Sequence, residues 1–325
     1  TLSASSAASD VYKRQRMVMD QLGHNSMDLS IEAERKVART FMGRIEWEMI
    51  AIGLGQFAAW IATWILVIQG IIPLIFGFLI AIFTACNAYL PSHAGQHGHL
   101  SGGRKNLQWL DYWVGQISVI PLAQSHELLK ATHLKHHAHT NDSENDPDFF
   151  HGNASSWLEA AKNVNTSYDD DGPARKAIEK HAAEDPKFRA SLEKGGAWVM
   201  LFFFAQIILA VMYPIETLLL WWIPKRIATS YLGIVFSYLP HSGLEKGRYK
   251  DTRFWTNKIP RFLNHSMQIH SMHHMYPRIC HYDEAKAIQA LKPYMIERNM
   301  PGAEYIPDQL RWNPVTYIKE AYYGR

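Results

Sequence analysis

Charged positions vanish from the chain in long blocks, and those blocks predict its elements. Trp47 to about Gln69 carries no charge beyond Glu48, and Ile71 to Leu90 carries none. Trp198 to about Trp222 is a third apolar run, with Pro214 expected to kink it, and Ile227 to Leu239 is a shorter fourth. A hydrocarbon core about 30 Å thick needs about 20 helical residues, so runs of this kind can span it. Gly70 to Pro73 turns the first pair back on itself, and Lys225 and Arg226 mark the turn expected in the second. Leu107 to Gln124 is only moderately apolar and is interrupted by Asp111 and Pro121. With Trp109, Tyr112 and Trp113 it reads as an interfacial or re-entrant segment.

The polar blocks fill in the rest. Glu32 to Arg44 predicts a short surface helix leading to the membrane. Asn153 to Lys194, punctuated by Asp169-Asp-Asp-Gly-Pro173, predicts a soluble insertion. Asp283 to Leu291 predicts a helix in a polar tail. The expected fold is an all-α membrane protein of two transmembrane helical hairpins, four spans in total, with a cytoplasmic helical cap. Nearly all Lys and Arg fall on the side shared by the two termini and the insertion, which should be cytoplasmic; Lys225 and Arg226 are a mild violation. The expected divisions are an N-terminal cytoplasmic segment over 16–45, a membrane domain over 46–295 with its insertion at about 150–195, and a tail over 296–325. Residues 1–15 are set aside, because Asp10-Val-Tyr-Lys-Arg-Gln15 resembles a translated sequencing adapter; Met17 or Met19 is a plausible natural start, and no signal peptide is evident after it.

Composition changes this picture little. The apolar fraction of the 325 residues is 47% and aromatics are 12%, yet mean hydropathy is −0.19 because the apolar residues are concentrated in blocks. A net charge of +3, with no basic run interleaved with aromatics, gives no argument for nucleic acid. Cys86 and Cys280 form no Cys-x-x-Cys pair, which argues against thiolate zinc sites, iron–sulfur clusters and a disulfide framework.

The chemistry sits in three histidine clusters. They are His93-Ala-Gly-Gln-His97, His133-Leu-Lys-His136-His137 and His270-Ser-Met-His273-His274. Residues at i, i+3 and i+4 share one helix face, so each cluster aims two or three imidazoles in one direction. Neutral imidazole is a ligand for iron, zinc, copper and nickel, and eight such ligands suit two ions better than one. Glu-x-x-His is absent, and the zincin motif fails because Lys130 stands where His126-Glu127 would need its second histidine. An all-imidazole set at the ends of spanning helices points to two non-haem iron ions and attack by dioxygen on an unactivated C–H bond. The acidic residues of Thr140-Asn-Asp-Ser-Glu-Asn-Asp-Pro-Asp148 are either a solvated loop or acceptors that orient the histidines. His24, His151, His181 and His281 read as ordinary surface or core residues.

These boxes and the two hairpins resemble the membrane fatty acid desaturase-like superfamily over about Trp47 to Met295. The resemblance implies that His93, His97, His133, His136, His137, His270, His273 and His274 bind metal. It adds His241, in Tyr238-Leu-Pro-His241, as a further ligand near the end of the last span. The segments His136-His-Ala-His-Thr-Asn-Asp-Ser-Glu-Asn-Asp-Pro-Asp148 and Gln268-Ile-His-Ser-Met-His-His-Met-Tyr-Pro277 are similar to beta-carotene hydroxylases and ketolases of that superfamily, as is Asp251-Thr-Arg253 after the Pro-His. In one departure, Ala94 follows His93 where the family carries an aspartate.

The expected protein is a multi-pass enzyme of the bacterial inner membrane with its metal site on the cytoplasmic side. It would use dioxygen, and electrons from a separate ferredoxin or cytochrome b5-type donor, to desaturate or hydroxylate a long lipid; a carotenoid is the alternative substrate. Tyr89, Leu90, Tyr238 and Leu239 are candidates for the substrate mouth. A histidine-lined metal transporter is the alternative of another class, disfavoured because the ligands lie at helix ends and beyond.

Overall fold

The computed structural model describes residues 28–167, 169, 172, 174–254 and 267–306. The adapter-like start, Met17, Met19, His24 and the tail beyond 306 lie outside the described residues. Among those described, the chain is helical with no strand, and it divides into two compact units, Gly43–Gly247 and the segments before and after it.

Three helices of the larger unit are long and apolar enough to cross a membrane: Trp47–Ile68, Leu74–Gln96 and Pro186–Met212. We label Trp47–Ile68 α2, Leu74–Asn87 α3 and its continuation Tyr89–Gln96 α4. Their outward faces are inverted relative to a water-soluble surface. Phe83 is 64% exposed, Ile208 60% and Val211 80%, a contiguous apolar exterior that lipid would cover. Inside, two side chains tie the helices together through backbone carbonyls: the Trp60 indole N–H donates to Leu220 O at 3.0 Å, and Gln56 Nε2 donates to Ser118 O at 2.8 Å. Gly77 lets α2 and α3 close up, since a Cβ there would meet Val67 at 2.5 Å.

The second hairpin turns earlier than the sequence suggests. The helix Pro186–Met212, α10, starts on an Asp185 cap that accepts from Lys187 N and Phe188 N, and it ends at Tyr213 in an extended conformation. Pro214 opens the next helix instead of kinking the previous one, because the first turn of a helix has no use for the N–H that proline lacks. The chain is then helical through 214–241, with π-helical stretches at Leu218–Trp222 and Gly233–Tyr238. Lys225 and Arg226 therefore lie inside the helix Ile223–Leu232 and not in a turn.

The remaining helices of this unit carry or brace the first two clusters. They are α5 (Gln108–Ser118), α6 (His126–His139), α7 (Phe149–Gly152), α8 (Trp157–Thr166) and α9 (Arg175–Glu184). On α5, Trp109 and Trp113 are exposed while Leu110 and Val114 are buried.

The smaller unit is built from α1 (Ile31–Arg39), α11 (His270–Met275) and α12 (His281–Glu297). The Ser30 hydroxyl caps α1 by accepting from Ala33 N. α1 is not a plain surface helix: Glu34 and Ala38 are fully buried, and Val37 and Phe41 pack on a core of Met272, Ile279, Ile288 and Leu291. α12 runs further in both directions than the expected Asp283–Leu291.

Candidate metal centre

In the larger unit, α4 continues the second apolar helix and carries His93, with His97 at its C-cap. α6 starts on a Ser125 cap and brings His133, His136 and His137 to one face. The ligand atoms of His93, His97 and His133 lie within 4.8 Å of one another. The His137 ring is 4.8 Å from that of His97, and its Nε2 is 3.0 Å from Nε2 of His133. His241 closes the final helix, its ring 4.9 Å from that of His136. Six of the nine predicted ligands thus converge within this unit.

A carboxylate sets the tautomer of His136. Its Nδ1 lies 2.8 Å from Asp146 Oδ1, and Asp146 also accepts from Asn141 N and Asp148 N, both at 2.9 Å. Burial would raise the Asp146 carboxyl, but His136, the backbone N–H of Asp148 and His241 together hold it below the usual range. Asp146 is therefore an acceptor, Nδ1 carries the proton, and Nε2 is the nitrogen left to bind metal. Burial, reinforced by neighbouring imidazoles, pushes His133 and His137 well below the ordinary histidine value. Both stay neutral, the form that ligates. This donor set, imidazoles at mutual bonding distance with carboxylate backing, fits a transition metal.

The smaller unit repeats the arrangement. On α11, His270 and His274 face each other with Nε2 atoms 3.1 Å apart, and the rings of His270 and His273 stack at 5.2 Å. Glu284, on α12, lies 3.8 Å from His273 Nδ1 and 3.3 Å from His281 Nδ1.

The chain matches the fatty acid desaturase family over residues 69–304. It belongs to that family. No curated protein and no solved structure matches it. Membership makes the protein a membrane oxidoreductase of the desaturase-like class with a lipid substrate, and the matched span takes in all three histidine clusters.

A cavity of about 220 Å³ reaches His133 in the larger unit. Tyr89 lines it together with Phe236, whereas Leu90, Tyr238 and Leu239 are not in its lining. Asp146 belongs to the acidic stretch 140–148 that the sequence offered either as a solvated loop or as acceptors for the histidines, and it lies within hydrogen-bond distance of His136. Glu284 was not singled out by sequence. His126 gave no signal. It is buried, its Nδ1 lies 2.9 Å from Ser92 Oγ, and a Cβ at Gly115 would sit 2.3 Å from that nitrogen. His151 and His181 are also buried, 3.5 Å from Asp148 and 2.7 Å from Asn145 O respectively.

Proposed function

We propose that this desaturase-family chain is a non-haem di-iron enzyme that uses dioxygen to desaturate or hydroxylate a long lipid chain. The convergence of His93, His97, His133 and His137, with Asp146 behind His136, carries the reading. The family resemblance adds His241 in this unit as a further ligand, and it assigns His270, His273 and His274 of the smaller unit to metal as well. Two iron ions, when bound, supply the oxidising chemistry. Desaturation removes two hydrogens from adjacent carbons, and dioxygen leaves as two waters with two electrons and two protons from outside; hydroxylation puts one oxygen atom into the substrate and the other into water. The electrons come from a separate donor of ferredoxin or cytochrome b5 type.

The chain's own residues orient and shield. Asp146 and Glu284 fix imidazole tautomers, and Tyr89 and Phe236 wall the substrate from water. We take the helical run 214–241 as a fourth span and the histidine clusters as lying on the cytoplasmic side of a bacterial inner membrane. Reporters inserted near Asp170 and after Arg325 should read cytoplasmic, and one between Gln69 and Pro73 external. The carotenoid hydroxylase or ketolase reading rests on the local motifs around His136 and His273.

The deciding experiment purifies the full chain from iron-replete cells and examines lipid and carotenoid pools by mass spectrometry. About two irons per chain and an oxidised acyl product are expected. Stoichiometric zinc, or no metal at all, would overturn the reading.

A further inference from the structure

The chain that leaves the final helical run lies back on the loop that follows α6. Ser242 N still closes on Tyr238 O at 3.0 Å, and three contacts then tie down the residues after it. Gly243 N donates to Asn153 Oδ1 at 3.3 Å, Asn141 Nδ2 donates to Glu245 O at 3.5 Å, and Lys246 Nζ lies 2.7 Å from Asp142 Oδ2. The two asparagines are also joined to each other, because Asn153 Nδ2 donates to Asn141 Oδ1 at 3.1 Å. Asn153 therefore uses both ends of its amide, the oxygen toward the final run and the nitrogen toward the loop.

Each side of this clip leads to a metal ligand. Asn141 is buried and takes a left-handed backbone, φ +62°, which asparagine tolerates better than most residues. Its N–H donates to Asp146 Oδ2 at 2.9 Å, and the other oxygen of Asp146 holds His136 Nδ1. On the opposite side, Gly243 follows His241 by two residues. α7, which ends at Asn153, passes so close that a Cβ at Gly152 would lie 3.7 Å from the His241 Cβ. His136 and His241 meet between these supports, with ligand nitrogens within 4.8 Å and rings 4.9 Å apart and nearly perpendicular. Ligands on separate elements stay within the roughly 0.5 Å that a site tolerates only where their supports are linked.

We infer that Asn153 is a positioning residue of the metal centre: through Asn141 on one side and Gly243 on the other, it sets the spacing of His136 and His241 as ligands of one ion. This rests on the function proposed above, in which these histidines hold metal, and adds the residue that keeps the pair in register. Asn153 does not ligate, since its side-chain bonds are to Asn141 and Gly243. His93, His97 and His133 gather on α4 and α6, so their ion should not feel the clip. The coupling is reciprocal, because a link that favours the metal-bound geometry is itself strengthened when metal binds.

The test titrates cobalt(II) alone into the metal-free full chain, read by visible absorption and by competition with a chelator. The wild-type protein should take up two ions. Asn153→Leu keeps the size of the side chain and removes both of its hydrogen bonds; one ion should then bind about tenfold more weakly and the other with unchanged affinity. Asn153→Asp is the rescue. Its carboxylate accepts from Gly243 N and, once the Asn141 amide turns over, from Asn141 Nδ2, so most of the lost affinity should return. Unchanged cobalt affinity in Asn153→Leu would overturn the inference. Equal weakening of both ions, or equal loss in the two variants, would show a general effect on the fold and overturn it too. A measurement on the wild type decides the matter even if Asn153→Leu fails to fold. Saturating cobalt should slow amide exchange about tenfold across 242–244, where each N–H is hydrogen-bonded, and exchange there indifferent to cobalt would overturn the inference. Two ions in the wild type with an indifferent Asn153→Leu sink this inference alone, and wild-type protein that binds neither cobalt nor iron sinks the function on which it rests.

Discussion

α6 and α11 carry the same His-x-x-His-His pattern, yet they are held in different ways. In both, the first and last histidines face each other, with Nε2 atoms 3.0 Å apart in α6 and 3.1 Å apart in α11. α6 is a long helix with a serine cap, and the loop after it delivers Asp146 within hydrogen-bond distance of His136. α11 has six residues and no side-chain cap, and its carboxylate Glu284 stands 3.8 Å from His273. What steadies α11 lies just beyond it. Tyr276 O–H donates to the fully buried Glu34 at 2.6 Å, and Glu34 also accepts from Tyr249 O–H at 3.0 Å and Arg298 Nε at 2.8 Å. One cluster is oriented by its own loop, the other by a network reaching back to α1.

The largest effect should fall on the ligands of either helix alike. His136→Ala and His273→Ala should each bring turnover below detection. His181→Ala should retain iron and activity but lower stability by about 1–3 kcal/mol, because it leaves Asn145 O, next to Asp146, without its buried partner. Iron analysis, turnover and thermal unfolding on the three variants check this. Equal loss of activity in all three would mean that folding, and not ligation, explains it.

The second effect should divide the helices. Glu34→Ala orphans two tyrosine hydroxyls and a guanidinium, a loss of about 3–5 kcal/mol for a buried pair broken on one side. Hydrogen exchange should rise across 270–275 and stay unchanged across 126–139. A matching rise in both would show that the network supports the whole chain.

The sequence made the three clusters legible and Asp146 only as one of two readings, but not Glu34. Histidines at i, i+3 and i+4 announce one helix face whatever surrounds them, so His133 facing His137 follows from local spacing, whereas the meeting of His93 and His97 with His133 is tertiary. Glu34 is a different case. In a helix with Glu32, Arg35, Lys36 and Arg39 around it, its charge reads as solvated, and only partners more than 200 residues away explain its burial. The second hairpin misled for a local reason: Pro214 and the Lys225-Arg226 pair carry opposite signals in a helix and in a turn. Proline at a first turn favours the helix it starts, and a cation pair beside a cavity need not mark a loop.

A smaller effect should follow the distance to each carboxylate. Asp146→Asn replaces the charged acceptor behind His136 with a neutral amide and should weaken iron affinity about 10–100-fold. Glu284→Gln acts across 3.8 Å and should weaken it less. Competition with a chelator measures both, and a reversed order would show that Glu284 closes on His273 when metal binds.

The last effect, small over any one pH unit, concerns acid and belongs to α6 alone. His126 opens that helix against Ser92 and Gly115. Burial, followed by the charges of Lys130 and Lys194, pushes its imidazole down to about 3. An unfolded histidine takes up its proton near 6.5, so between these values the unfolded chain binds a proton that the folded chain refuses. This contribution is fully present above pH 6.5 and is lost as pH falls toward 3, at about 1.4 kcal/mol per pH unit for one group. His126→Asn keeps a polar partner for Ser92 and removes the titration. In metal-free protein, exchange protection across 126–139 should fall with acid in the wild type, and the variant should lose about one proton of that slope. Protection across 270–275 should respond equally in both. A variant that keeps the full slope would move the acid sensitivity to His133 and His137, which burial also holds neutral, and α6 would then be acid-sensitive through its ligands and not through its anchor.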